Sequence, residues 1–147
     1  MTFEDHLHRD AYSAKGQSSL IMPEAPFKIL FICMGNICRS PAAEIIFRKQ
    51  SAEAGLADCF HIDSAGTIGH HEGAPPDPRM SESLRQKGFT VQGSARQIQQ
   101  EDLASFDLIV TMDDATSAIT SIFLCEQEGT ASSFRGLDRK STRLNSS

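Results

Sequence analysis

An α/β domain built on a small parallel sheet is what the sequence predicts, and three observations predict it. Two apolar runs, FKILFIC (27–33) and DLIVTM (107–112), lack the in–out alternation of a sheet with one wet face. Such runs mark strands buried on both sides. Between them lie helix-patterned segments with recognisable starts and glycine stops. The 147-residue chain has room for one domain with a full core, and not for two.

The elements follow in order. Residues 1–26 are polar and aperiodic, closed by Pro23 and Pro26, and read as a disordered extension with Met22 as an alternative start. The first strand covers 27–33. After the loop CMGNICRSP (33–41), Ser40 is placed to cap a helix and Pro41 to occupy its first position, where a missing N–H costs nothing. Ala43, Ile46, Phe47 and Ala54 fall on one face of that helix, and Gly55 ends it. FHIDS (60–64) is a short strand, and the glycine- and proline-rich stretch 65–78 a loop. Asp77-Pro78 opens a helix that Gly88 stops, and Glu101 to Leu103 make a helical turn. Strand 107–112 comes next, then a helix capped by Asp113 or Asp114 and running to about Leu124. The run 138–147 has no apolar face and reads as a disordered tail. Its RKSTRLNSS resembles translated adapter sequence, so a different native continuation after Leu137 is expected.

Composition narrows the function classes. A formal net charge of −5 argues against a nucleic-acid or anionic-membrane partner, yet leaves room for a positive pocket. No apolar run has the length of a membrane span, and the N-terminus lacks the pattern of a secretory signal. Cys33, Cys38, Cys59 and Cys125 are therefore expected as reduced thiols in a cytoplasmic protein.

The chemistry concentrates in 33–41. Cys33 ends a buried strand, and ligands of open α/β sheets bind at that carboxyl edge. Helix N–H groups and the positive end of the helix dipole face the same loop. Arg39 adds a planar cation matched to two oxygens of a tetrahedral anion. This setting favours the thiolate of Cys33 and seats a phosphate-like dianion above it. Together these make a phosphoryl-transfer site working through a phosphocysteine. Gly35 and Asn36 suit a tight or left-handed backbone, and Ser40 can hydrogen-bond the sulfur.

Cys33-Met34-Gly35-Asn36-Ile37-Cys38-Arg39-Ser40-Pro41 resembles the signature loop of the low-molecular-weight protein tyrosine phosphatases. IDSAGT (62–67), PDPRM (76–80), ARQ (95–97) and DLIVTMDD (107–114) continue the likeness in order, so that it covers about 27–136. The resemblance implies a sheet of about four parallel strands with helices on both faces, no metal and no organic cofactor. It implies Cys33 as nucleophile, Arg39 as phosphate and transition-state clamp, and Asn36 and Ser40 as loop supports. The backbone of Met34, Gly35, Asn36, Ile37, Cys38 and Arg39 would bind the phosphate. Cys38 would either pack or trap an oxidised Cys33 as a disulfide, a device of the family. The implied substrate is a phosphotyrosine protein or a small aryl phosphate.

Three departures qualify it. The family's general acid lies in a late Asp-Pro pair, and no Asp-Pro pair follows residue 114 here. Only Glu126, Glu128 and Asp138 come later, and Asp77-Pro78 matches an earlier, structural pair. On this reading the chain is a C-terminally truncated member, with domain 27–137 incomplete, its closing helix missing and a sheet face left bare. Many members also carry a histidine before Ala-Arg-Gln, where this chain has Gln92-Gly93-Ser94. His70 and His71 stand near the position of the aromatic that walls the family's substrate cleft.

Two other classes stay open, an arsenate reductase using the same loop and a non-catalytic phosphate- or phosphopeptide-binding module. The reductase needs a close downstream cysteine pair that the spacing lacks. A zinc site from Cys33, Cys38, His70 and His71 is disfavoured by poor ligand spacing. Cys59 and Cys125 read as ordinary thiols, and His6, His8 and His61 as solvent or structural residues. Asp113 and Asp114 read as helix caps, with loop orientation a lesser alternative for Asp113. Arg79 and Arg96 read as packing or ion-pair residues.

Overall fold

The structure, a computed structural model, describes residues 24–128, with side chains placed through residue 122. Of the extension expected over 1–26, only the exposed residues 24–26 are described. The tail expected over 138–147, the late acids Glu126, Glu128 and Asp138, and the side chain of Cys125 lie outside the described side chains.

Strand β1 (Phe27–Cys33) is the centre of a parallel sheet of order β2-β1-β3. Helix α1 (Arg39–Glu53) follows it and leads through a single 3-10 turn to β2 (Phe60–Gly66). Helices α2 (Pro78–Gln86) and α3 (Gln100–Ser105) precede β3 (Leu108–Thr111) and α4 (Asp114–Glu128). Phe27 to Cys33 pair in register with Phe60 to Gly66 on one side. Ile29 to Ile32 pair with Leu108 to Thr111 on the other. Among the described residues the sheet has three strands; a fourth is not among them.

The apolar run in β1 is explained by its position. Leu30 and Ile32 point to one face, where they meet Ala65, Ile98 and Leu103, with Phe106 and Ile109 packed against them. Ile29 and Phe31 point to the other, against Ile62 and the α1 residues Ala43 and Phe47. From Ile29 to Cys33, side-chain alternation with both faces covered leaves no position for a polar residue; Lys28 stands at the less buried start of the strand. Leu30→Ala is expected to cost about 2–5 kcal/mol and to show as a lower melting temperature, since Leu30 is wholly buried.

The boundaries follow local chemistry, with one correction. Gly55 and Gly88 take positive φ just past α1 and α2, as helix stops do. The Asp77 carboxylate accepts from the N–H groups of Arg79 and Met80 at 3.0 Å, capping α2. The Asp113 carboxylate accepts from the Thr116 N–H at 2.8 Å, capping α4. Ser40, expected as the cap of α1, is inside it: the helix begins at Arg39, and Cys38 at the cap position makes no side-chain capping bond. The Ser40 hydroxyl is engaged with the loop sulfur instead. No helix among the described residues is long and apolar enough to cross a membrane.

Candidate active site

β1 lies between β2 and β3, so its carboxyl end sits in the middle of the sheet edge at which ligands of open parallel sheets bind. Cys33 is the last residue of β1, buried at 3% exposure. Its carbonyl accepts from the Thr67 N–H at 3.0 Å and that of Met34 from the Ile68 N–H at 3.0 Å. The entry to the loop is thus tied to the end of β2.

Between Cys33 and Arg39 the backbone folds around the sulfur. Asn36 takes a left-handed φ of 56°, and its N–H donates to Cys33 Sγ at 3.3 Å. Ser40 Oγ lies 3.0 Å from the same sulfur. Asn36 Nδ2 donates to Ser40 Oγ and to Ser64 Oγ, both at 2.9 Å, while its Oδ1 accepts from the Arg96 N–H at 2.9 Å. Both N–H donors of that amide and one acceptor site of its oxygen are spent on holding the loop. At the far side the Asp77 N–H donates to the Ile37 carbonyl at 2.7 Å. The loop is therefore anchored to β2, to the segment before α3 and to the start of α2.

Two glycines allow this closeness. A Cβ on Gly66 would stand 2.7 Å from the Met34 carbonyl oxygen and 3.0 Å from the Asn36 nitrogen. A Cβ on Gly35 would meet the His71 ring at 3.0 Å. His71 thus covers the loop, with His70 edge-on to it at 4.9 Å between ring centroids. Met34 and Ile68 stand exposed beside Cys33 in sequence and across the β1–β2 junction.

Arg39 opens α1, where helix N–H groups lack acceptors in their own helix. Its guanidinium Nη1 donates to the Asp113 carboxylate, which arrives from the carboxyl end of β3. Asp113 is held down to about 2, first by the Thr116 hydroxyl, then by the Thr116 N–H, then by Arg39. It stays ionised through the neutral range, so it can orient a cation but has no proton to lend. Loop orientation, the lesser alternative for Asp113, is thus joined to its capping role.

Cys38 is exposed, yet desolvation of its thiol pushes it up, with Asp77 and Cys33 adding to the effect and Arg39 opposing it. Cys33, Cys38 and Cys59 are all free thiols. Arg96 forms ion pairs with Asp63 and Asp102 at 2.9 and 2.8 Å, the structural role expected of it. Residues 92–94, where a histidine would stand in many relatives, contribute an open turn: Gly93 has φ 114° and free space at its Cβ position.

Sequence reasoning passed over Ser64, Gly66 and Glu44. The Ser64 hydroxyl donates to Glu44 Oε2 at 2.6 Å, and Arg48 Nη2 donates to Glu44 Oε1 at 2.7 Å. A signal existed: Ser40, Glu44 and Arg48 recur every four residues and therefore share one helix face.

Comparison with known proteins agrees with this geometry. Residues 28–142 match the family model described as low molecular weight phosphotyrosine protein phosphatase. A Synechocystis protein of the same family description is 57% identical over 86 residues, covering 58% of this chain and 55% of that protein. The human low molecular weight phosphotyrosine protein phosphatase is 42% identical over 92 residues, 63% of this chain and 58% of its own. The crystal structure of YfkJ from Bacillus subtilis superposes with a TM-score of 0.69 at 38% identity, covering 74% of this chain and 69% of that one. The matched part spans just over half the length of those curated relatives. By the extent of the family match and the agreement of the fold, the chain belongs to the low molecular weight phosphotyrosine protein phosphatase family.

Proposed function

We propose that this chain cleaves phosphate monoesters of the phosphotyrosine or aryl phosphate type through a phosphocysteine on Cys33. The observation that carries the reading is the sulfur itself. It is buried at a strand end, with the Asn36 N–H at 3.3 Å, the Ser40 hydroxyl at 3.0 Å and Arg39 at the start of the helix above. In the first step the Cys33 sulfur attacks phosphorus, an S–P bond forms and the ester P–O bond breaks, the leaving oxygen departing with the electron pair. In the second, water attacks phosphorus, the S–P bond breaks and inorganic phosphate leaves. Ser40 stabilises the returning thiolate by a charge-assisted hydrogen bond. Arg39 and loop N–H groups neutralise charge on the transferring oxygens in both steps. A reducing, cytoplasmic setting suits a chemistry that needs the free thiol.

The leaving group needs a proton, and the carboxylate beside Arg39, Asp113, is not its donor. The 147-residue chain has no Asp-Pro pair after Asp114, and Asp113 is held ionised. General acid catalysis supplies about 10² to 10⁴-fold. Para-nitrophenyl phosphate, whose phenolate leaves unaided, is expected to turn over faster than phenyl phosphate or phosphotyrosine by a factor of that order. Equal rates on all three would overturn the loss of the acid. Asp113, held ionised, cannot protonate a leaving group, which favours a second reading, phosphate binding without turnover. Rapid-quench trapping separates the two: a labelled phosphocysteine at Cys33 supports the phosphatase, and saturable phosphate binding with no trapped adduct supports the binding module.

Asp113 competes for the clamp. Asn caps a helix nearly as well as Asp, so Asp113→Asn retains α4 while releasing Arg39 from its ion pair. For a half-exposed pair the effect is modest. Inorganic phosphate is expected to inhibit the variant about 2- to 5-fold more tightly. An unchanged inhibition constant would show that the pair does not gate the site.

A further inference from the structure

Beside the signature loop lies an open cleft of about 580 Å³, lined by Cys38, Asp77, Arg79, Met80, Ser83 and Leu84. One wall is the last loop residue before α1, and the other is the start of α2. The two walls are fixed to each other. The Asp77 N–H donates to the Ile37 carbonyl at 2.7 Å, and the Asp77 carboxylate caps α2. The cleft therefore keeps its place relative to the loop.

Its lining divides by chemistry. Met80, Ser83 and Leu84 are three and four residues apart and share one face of α2. Leu84 is buried and Met80 half-buried, which makes an apolar floor. Arg79 stands exposed at the edge. Arg39, Arg48 and Arg96 are each tied to a carboxylate; among the described residues Arg79 is in no such pair. Asp77 is the one carboxylate of the lining, and its Oδ1 is taken by the N–H groups of Arg79 and Met80. The positive end of α2 offsets its charge.

We propose that this cleft is a subsite for the polypeptide that flanks the phosphotyrosine, seating an apolar side chain on Met80 and Leu84 and an adjacent acidic residue on Arg79. The proposal rests on the reading of a phosphotyrosine protein as substrate, and deepens it by naming the sequence around the phosphate. A guanidinium matches a carboxylate with two parallel hydrogen bonds. On a chain of formal charge −5, an unpaired arginine beside the site is where an acidic ligand meets attraction. The cleft adjoins the loop through Cys38, and three residues of extended chain span about 10 Å. The flanking side chains concerned therefore lie within about three positions of the phosphotyrosine. A free aryl phosphate has no such flank and bypasses the cleft.

The test is fluorescence anisotropy of labelled phosphotyrosine peptides on Cys33→Ser, which needs no turnover. The peptides differ only in their flanks: leucine with glutamate, leucine with lysine, or alanine throughout, scanned over three positions on each side. At its best position the leucine–glutamate peptide is expected to bind about 10-fold tighter than the alanine peptide, most of it from burial of the leucine. The glutamate is expected to supply about 2- to 5-fold at low salt, as rim ion pairs do. Adding Arg79→Glu is expected to turn the glutamate preference into one for lysine, and Arg79→Lys to retain it. A glutamate in the first turn suits the helix dipole, so the melting temperature should hold. In the wild-type background, Arg79→Glu should leave para-nitrophenyl phosphate turnover unchanged. Bound leucine–glutamate peptide is also expected to protect Cys38 from iodoacetamide more than saturating inorganic phosphate does.

Equal affinities across the series would overturn the proposal, as would a glutamate preference that survives Arg79→Glu or a series that does not bind. Failure of the phosphatase reading looks different. Flank preference with no phosphocysteine in the wild type leaves the subsite standing in a binding module. Flank-independent binding with normal turnover leaves a phosphatase without it.

Discussion

Cys33→Ser is expected to abolish turnover of para-nitrophenyl phosphate, by at least about 10⁴-fold, while the protein stays folded and still binds phosphate. On the proposed reading the covalent intermediate forms on the sulfur, which ends β1 beneath the loop. Its neighbours, the Asn36 N–H that donates to it and the Ser40 hydroxyl 3.0 Å away, are not bases that could activate an alcohol in its place. A serine there keeps both hydrogen bonds and the packing of a small buried side chain, so thermal melting should change little. Phosphate affinity should be retained, since Arg39 and the loop N–H groups that would hold the anion stay in place. Phosphate-release assays, phosphate titration and a melting curve read the three parts. Residual turnover within tenfold of wild type would show that hydrolysis does not pass through Cys33.

Gly66→Ala is expected to reduce turnover by about 10²-fold or more and to destabilise the fold by about 1–3 kcal/mol. The added methyl would lie 2.7 Å from the Met34 carbonyl and 3.0 Å from the Asn36 nitrogen and the Gly35 carbonyl carbon. All three are backbone atoms of the loop, so no rotamer relieves the contact. Gly66 cannot retreat either. Its N–H donates to the Arg96 carbonyl at 2.9 Å and its carbonyl accepts from the Ile98 N–H at 2.8 Å. The loop must move, and with it the N–H of Asn36. Gly35→Ala makes the comparison informative, because its methyl meets the His71 side chain, which can turn away. Steady-state kinetics and melting of the two variants should rank Gly66→Ala as the more damaged. The reverse order would mean that His71, not the β2 end, sets the loop position.

Much of the fold was legible because its signals are local. The apolar run of β1, the Asp77-Pro78 helix start and the Gly55 and Gly88 stops each depend on a few adjacent residues and stand where expected. β3 differs: it is confined to Leu108–Thr111, at the sheet's edge among the described residues. With Leu108 exposed and the rest half-buried, it is not the doubly buried strand its apolar run predicted. β2 extends two residues beyond the expected 60–64, through Gly66. Those two residues, Ala65 and Gly66, carry no β-branched or aromatic signal; pairing with Ile32 and Cys33 makes them strand. Ser40 shows the limit of local rules. Serine before proline at a helix start reads as a cap, and only the sulfur 3.0 Å away claims its hydroxyl instead.

The sequence by itself determined the loop chemistry: a thiol at a strand end, an arginine six residues on, and a helix start between them and solvent. Those features lie within nine residues, so covalent geometry alone brings them together. Tertiary structure decided what surrounds them. Asp113 reaches Arg39 across 74 residues, Ser64 reaches Asn36 across 28, and Arg96 reaches it across 60. None of these meetings has a local signature, because they exist only once parallel pairing brings the carboxyl ends of β1, β2 and β3 to one edge. The strand-end thiol was written in the chain; the hydrogen bonds that surround it were made by the sheet.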